Sequence, residues 1–576
     1  MRIGLVTEGG YPYVSGDAGA WCERLVRGLE QHEFDVYALS RSRRQEDEGW
    51  VPLPPQVGRV RTAPLWTAED DGVAHGRRAR RRFAECYGEL AAVVCTSDRD
   101  DHRDPVGPDG HRVHVVPGDP RGLGGLGAAD GLTGGTDAQA DRFASALYGL
   151  AELAREEGGL AGALRSETAV RALERACRAP GAPSAAREAR VRDLLAVAAH
   201  LERALRPLSL DWYEDDGLGA ADLCHTAAGG TAALPGLLAR HFCDVPLLVT
   251  EYGVQLRAHY LAADAGTTAP AVRSLLAAFH RALAAEVYRR AAVVTHGNAH
   301  ARRWQERCGA DRARLRTVPP GMDAAPFAEA GEAPEAADPG TLVWVGRIEP
   351  AKDLVSLLHA FAEVRRQETG ARLRIVGTAA GPDAAAYLGH CRALAAQLFP
   401  DEADGPHTVG DNPVSFEELG GPEAPTLADA YASGAVVVLS SVVEGLPVSL
   451  VEAMFCGRAT VSTDVGAVVE VIGGTGLVVP PRNPRALADA CVTLLHDPER
   501  RARLGAAARA RALELFTIEQ NTAAFHGIYL EIVSHCPVRR VLLDDSGEPL
   551  PFAAPAEAHV PGHWTAVPAR APEATR

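Results

Sequence analysis

The chain has 576 residues, 46% of them hydrophobic and 6% aromatic, with a formal net charge of −16. This length is too great for one core and predicts two domains with additions, while the acidic balance argues against a nucleic-acid backbone as partner. The 11 cysteines are odd in number and form no C-x-x-C pair, which speaks against a disulfide framework or a zinc site and fits a reducing cytoplasm.

The opening MRIGLVTEGG reads as a first strand, Ile3–Thr7, because no long apolar region of a signal peptide follows Arg2. No apolar run reaches the length of a membrane span, so a cytoplasmic protein is expected, able to work beside a membrane export complex. The loop GGYPYVSGDAG leads to a helix with apolar spacing at Trp21, Leu25, Val26 and Leu29, then to a strand Phe34–Leu39. This is a Rossmann-like start without the G-x-G-x-x-G fingerprint. Gly16 and Gly19 either let the backbone approach a ligand or only make a turn.

Residues 41–215 hold arginine runs, a Gly-rich segment and Ala/Arg helices, read as a helical and loop elaboration of the first domain. His102, His111 and His114 lie in a polar loop without metal spacing. The α/β pattern returns at Ala221, with a strand end carrying His225, a turn at Gly229 and Gly230, and a strand Leu247–Thr250 that delivers Glu251, Tyr252 and Gly253. In open α/β sheets ligands bind at the C-terminal ends of strands, so His225, Glu251, Tyr252, His296 and Asn298 are site candidates. Packing or capping roles are equally open to them.

The Pro/Ala/Glu stretch at 328–340 reads as a linker. Beyond it, VGRIEPAKD ends a strand with Gly346 and puts Arg347 and Lys352 in one loop. Lys352 is the only lysine in the chain. A guanidinium fork and a compact ammonium at one strand end suit a pyrophosphate. The stretch from Gly434 to Gly457 reads as a buried strand (Ala435 to Leu439), a turn, and a helix starting near Pro447 and stopped by Gly457. A strand-to-helix turn offers free N–H groups and the positive end of the helix dipole. Glu444 in the turn and Glu452 in the helix are suited to accept hydrogen bonds from sugar hydroxyls. The combination points to a nucleotide-sugar site. The last helix spans about 519–534, with Phe525, Ile528 and Ile532 at helical spacing, and the tail from Pro537 has a disordered composition.

G-R-x4-K (Gly346 to Lys352), E-G-L-P-x4-E-A-M (Glu444 to Met454), T-D-V-G-x3-E (Thr463 to Glu470) and G-L-V-V-P-P together resemble the family-4 retaining glycosyltransferases of GT-B fold. The resemblance covers roughly residues 341–535. The first half is similar to the PelF-type subgroup in E-G-x-Y-P-Y-V-x-G (Glu8 to Gly16), the His225-to-Gly230 turn, T-E-x-G (Thr250, Glu251, Gly253) and Lys352–Asp353. It departs from that pattern at Asp17, Tyr252 and Ala467.

The resemblance implies an α/β protein of two Rossmann-like domains facing a cleft. The first would be 1–327, then the linker 328–340, a nucleotide-sugar domain 341–515, a helix 516–536 crossing back to the first domain, and a disordered tail 537–576. It implies a nucleoside diphosphate sugar donor, UDP-linked. Arg347 and Lys352 would hold the diphosphate, Glu444 the sugar hydroxyls and Glu452 the ribose. The backbone at Gly346, Gly445, Leu446 and Gly16 would also reach the donor, and His225, Glu251 and Tyr252 would serve the acceptor side. No metal or other cofactor would be required. The acceptor would be a saccharide or glycoconjugate in exopolysaccharide synthesis. Two alternatives stay open: a small acceptor such as an inositol phosphate held by the Arg-rich 41–82 segment, and a catalytically silent module regulating a synthase.

Overall fold

The computed structural model describes residues 1–13, 17–67, 71–96, 133–263, 269–332, 338–399 and 412–538. They form two compact units. Gly16, the histidines at 102, 111 and 114, and the tail from 539 lie outside the described residues, and so does the side chain of Asp17.

The first unit is built on a seven-stranded sheet of β1 (Arg2–Glu8), β2 (Glu33–Ser40), β3 (Val57–Pro64), β4 (Leu223–Thr226), β5 (Leu247–Thr250), β6 (Val293–His296) and β7 (Leu315–Thr317), in the order β3-β2-β1-β4-β5-β6-β7. The pairs β1–β2, β2–β3, β1–β4, β4–β5 and β5–β6 are parallel. A parallel sheet covered on both faces needs near-continuous apolar strands, and β4 and β5 are buried at every residue. Strand β3 falls inside the stretch expected to be helix and loop. Its sequence VGRVRTAP alternates with arginines because it is an edge strand, only partly buried, and Arg59 and Arg61 both pair with Asp216. The expected helical elaboration is found after β3, in helices Arg77–Thr96, Thr133–Glu157, Glu167–Arg178 and Val191–Leu205 among others. They extend the core of the first unit through Phe83, Tyr87, Leu147, Leu173 and Leu201.

The second unit carries a six-stranded sheet of β8 (Asp338–Arg347), β9 (Arg372–Thr378), β10 (Val414–Glu417), β11 (Gly434–Leu439), β12 (Ala459–Thr463) and β13 (Leu477–Val479), in the order β10-β9-β8-β11-β12-β13. Its strand pairs are parallel as well. The two-residue period of a strand sends alternate side chains to opposite faces. Leu342 and Trp344 accordingly join one apolar cluster with Leu354, Leu358 and Phe361, whereas Val343 and Val345 join another with Leu450, Met454 and Phe455. Each sheet changes winding direction once, between β1 and β4 in the first unit and between β8 and β11 in the second.

The segment expected as a linker contains a short helix, Ala328–Glu332, and the start of β8, and lies inside the second unit, which comprises Gly297–Arg303 and Thr317–Thr522. The helix Ile518–His535 starts in the second unit, and its residues from Ala523 onward belong to the first. There Phe525, Tyr529 and Ile532 are buried, with the Phe525 ring 5.6 Å from Trp21 and 5.4 Å from His225. No helix among the described residues is long and apolar enough to cross a membrane.

Candidate active site

The point where strand order reverses leaves a crevice at the C-terminal strand ends, which is where open α/β sheets bind ligands. In the second unit that point lies between β8 and β11, and the two loops leaving these strands carry the residues singled out from the sequence. After β8 the chain makes a one-turn 3-10 helix, Pro350–Lys352. Asp353 then adopts a left-handed φ of 47° and caps the helix Leu354–Gln367 by accepting a hydrogen bond from the Ser356 amide at 3.2 Å. Asp353 is thus explained as a cap. After β11, Pro447 stands immediately before the helix Val448–Phe455, whose N-terminus has no side-chain cap.

The loops are stitched together. Val442 donates its amide to Ala351 O at 2.9 Å, and Ser440 Oγ donates to Lys352 O at 2.7 Å. The Lys352 ammonium donates to Glu444 Oε1 at 2.5 Å, and Ser441 Oγ donates to the same oxygen at 2.6 Å. The pair is largely withdrawn from solvent, with side-chain exposures of 16% for Lys352 and 8% for Glu444. Arg347 has an exposed side chain that makes no ion pair or hydrogen bond among the described residues. Glu452, half-buried on the helix, accepts from the hydroxyl of fully buried Tyr431 at 2.7 Å, which fixes the carboxylate; burial first, and then the neighbouring carboxylate, hold the phenol's pKa well above its ordinary value.

The glycines divide by role. A Cβ on Gly346 would press on the Trp344 ring at 3.2 Å, so this residue is small because of packing. A Cβ on Gly445 would meet nothing within 4 Å, so open space borders the backbone between Glu444 and the helix start. Gly466 has a φ of +58°, and a Cβ there would strike Glu444 O at 2.4 Å. The following Ala467 has a φ of −101° and donates its amide to Gly445 O at 3.1 Å. Its geometry needs no glycine, so the departure at Ala467 leaves the turn intact. Leu446 is half-buried against the cluster around Met454.

The first unit treats its candidates differently. His225, expected to serve the acceptor side, is completely buried. Its Nδ1 meets Tyr529 Oη at 2.7 Å and its Nε2 meets Thr250 Oγ1 at 2.7 Å, so both ring nitrogens are committed to holding the last helix. Burial pushes its pKa down to about 3. Glu251, also expected on the acceptor side, is engaged inside the unit. It is 3% exposed, accepts from the Tyr288 hydroxyl and from the Gln255 amide at 3.2 Å, and lies so close to Gly229 that a Cβ there would be 2.6 Å from Oε1. Burial raises its pKa to about 6 against the opposing hydrogen bonds. Tyr252 remains half-buried, its ring edge-on to Trp21 at 5.3 Å. His296 is buried too, and Asn298, which belongs to the second unit, is buried and caps the next helix by accepting from the Ala301 amide at 2.8 Å.

Sequence reasoning missed Tyr431, Ser441 and Tyr529. Tyr431 and Tyr529 lie far along the chain from the residues they hold, and no local pattern marks either. Ser441 sits three residues before Glu444, inside the stretch singled out from the sequence, yet nothing in its spacing marks it.

A matched pair of strand-end loops on doubly wound sheets is the arrangement of a GT-B glycosyl transferase. Residues 339–497 match the family described as "Glycosyl transferases group 1". Residues 1–104 and 129–313, half of the chain, match the family described as "Domain of unknown function (DUF3492)", and the chain belongs to that family. Among curated proteins, the D-inositol 3-phosphate glycosyltransferase of Kineococcus radiotolerans is 32% identical over 237 residues, 38% of this chain and 52% of that protein. The Rhodococcus erythropolis protein of the same description is 31% identical over 288 residues, 47% and 60% of the two chains. The chain therefore spans little more than half the length of these relatives. Among solved structures, sucrose-phosphate synthase from Thermosynechococcus elongatus aligns with a TM-score of 0.52 at 16% identity, over 93% of this chain and 99% of that one. The N-terminal domain of Candida albicans trehalose-6-phosphate phosphatase aligns with a TM-score of 0.50 at 11% identity, over 92% and 96%. These likenesses establish the fold.

Because His225 is held neutral in the fold but takes up a proton near pH 6.5 when unfolded, its contribution is intact above that pH and is lost as pH falls toward 3. Glu251 acts with the opposite sign, losing stability as pH rises from 4.5 to about 6. In urea unfolding, His225→Asn is expected to lose about 2 kcal/mol less than the parent between pH 7 and pH 5. Equal losses in the two proteins would contradict the buried neutral imidazole.

Proposed function

We propose that the protein is a retaining glycosyltransferase that moves a sugar from a UDP-sugar to a saccharide or glycoconjugate acceptor, without a metal. The observation that carries this reading is the Lys352–Glu444 pair, which joins the two motif loops at the switch point of the second sheet. Arg347 and Lys352 bring two cations to the loop that leaves β8, and a helix N-terminus without a side-chain cap follows β11. Such donors stabilise a leaving diphosphate as negative charge develops on it. The bond from the anomeric carbon to the β-phosphate oxygen breaks, and the bond to the acceptor oxygen forms on the same face. The acceptor proton passes to the departing phosphate, and the cations do the work otherwise given to a divalent ion. Glu444 accepts from sugar hydroxyls in this reading, Glu452 from the ribose, and the open side of Gly445 admits the donor.

The motifs from Glu8 to Gly16 and from Thr250 to Gly253 favour the PelF-like assignment, a polymer acceptor and a cytoplasmic enzyme beside an export complex. An inositol phosphate acceptor, the substrate in the name of the relatives above, needs free cations in the first unit. Arg41, Arg44, Arg59, Arg61, Arg81 and Arg82 each face a carboxylate, whereas Arg77, Arg78 and Arg80 are exposed and make no ion pair among the described residues, so the segment keeps cations for such an acceptor and the polymer reading rests on the motifs.

UDP should raise the melting temperature in metal-free buffer, by the equivalent of about 2.7 kcal/mol at 100 times its Kd, with no change on adding EDTA. A shift that appears only with magnesium would overturn the metal-free mechanism. No shift with any nucleotide would overturn the donor site.

The two glutamates should fail differently. Glu444 lies in the turn, where charge and distortion of the sugar ring develop, and Glu452 lies on the helix, where contacts are alike in ground and transition states. Glu444→Gln is expected to depress chiefly kcat, and Glu452→Gln to raise donor KM and weaken UDP binding. Titration calorimetry with UDP decides the point: if Glu452→Gln binds as the parent does and Glu444→Gln binds far more weakly, the roles are reversed.

A further inference from the structure

The first unit has a concave feature of its own, to which Tyr13 of the Glu8-to-Gly16 motif contributes and to which no role has been given above. It is a cavity of about 560 Å³ at the C-terminal ends of β2 and β3, lined by Glu46, Trp50, Thr62, Pro64, Trp66 and Thr67 among others. Trp50 and Trp66 are the exposed tryptophans among the described residues, at 47% and 37%, whereas Trp21, Trp212 and Trp344 are buried. Two exposed indoles on the lining of one cavity make a clustered apolar surface of the kind that marks an interaction site.

The backbone that carries each indole is held in place by the fold. Trp50 forms an isolated antiparallel bridge with Tyr13, and the next residue donates its amide to Pro12 O at 2.9 Å. The Trp66 turn is clamped by Arg206, whose guanidinium donates to the carbonyls of Leu65 at 2.9 Å, Pro64 at 3.4 Å and Thr67. Arg206 is itself buried and forked onto Glu202 at 2.7 and 2.8 Å. A buried guanidinium directed at three carbonyls of one surface turn makes that turn rigid, which lowers the ordering cost of binding.

The chemistry of the lining selects the ligand. Flat indoles offer stacking area to the C–H face of a pyranose ring, and the exposed Thr62 hydroxyl, the Thr67 hydroxyl and the Glu46 carboxylate can pair with ring hydroxyls. One Glu46 oxygen already accepts from Ser40 Oγ. Among the described residues Glu46 is the single charged group in the lining, and none of them brings a cation to meet a phosphate or a uronate.

We propose that this cavity is a saccharide-binding site for neutral or amino-sugar pyranose chains. The proposal deepens the glycosyltransferase reading and rests on it for the acceptor class.

The test is calorimetry on the full chain with cellotetraose, chitotetraose and tetragalacturonate at millimolar concentration. Binding of one or both of the first two is expected, with none of the third. Trp50→Ala and Trp66→Ala should each weaken that binding about tenfold, Trp66→Phe should restore part of it, and the UDP-induced thermal shift should stay at the parent value in all three. Parent-strength binding by both alanine variants, a preference for the uronate, or no binding of any oligosaccharide by the parent would overturn the proposal. Saccharide binding that depends on the tryptophans in a protein that ignores every nucleotide would support this site and overturn the donor reading instead.

Discussion

The ion pair between Lys352 and Glu444 ties together the exits of two neighbouring strands, and most of what is distinctive about the second unit is arranged around it. An exposed pair of this kind contributes about 0–1 kcal/mol. This one is mostly enclosed and shares its carboxylate oxygen with Ser441, so removing either partner leaves a desolvated charge behind. The backbone bonds from Ser440 and Val442 to the lysine loop fix the same geometry independently. The loop of Gly466 and Ala467 presses on the carbonyls of Glu444 and Gly445 from the other side. A site built this way holds its groups in advance, which is the condition the proposed transfer sets for electrostatic stabilisation without reorganisation.

The first unit invests its buried polar groups in architecture. The contacts from Thr295 through Thr250 and His225 to Tyr529 run from the sheet to the last helix, and every distance along them is 2.7 Å. Around the imidazole stand Trp21 and Phe525. A motif histidine at a strand end thus secures the returning helix, and the exposed chemistry of this unit lies elsewhere, at Trp50 and Trp66.

The second sheet was legible because its motifs are local. Gly346 to Lys352 spans one loop, Glu444 to Glu452 spans one turn and helix, and the apolar run of β11 stands out in any window. Strands β3 and β10 were not legible. β3 is an arginine-bearing edge strand, and β10 is four residues of mixed polarity, VSFE, in which Glu417 is held by Arg374 of β9. The role of His225 was hidden for a different reason: its partner Tyr529 lies 304 residues away, and no spacing rule reaches that far. Conversely, Trp50 and Trp66 look like ordinary core aromatics in the sequence, and only their exposure reveals them.

A double-mutant cycle on Lys352 and Glu444, read as kcat/KM with the UDP-sugar of the proposed reaction, tests the central claim most directly. If the two residues act as one unit on the leaving diphosphate and the sugar, Lys352→Ala should cost about 10²-fold or more, and adding Glu444→Gln should cost little beyond it. Losses that multiply in the double variant, or near-parent turnover by Lys352→Ala, would contradict a catalytic pair at the switch point.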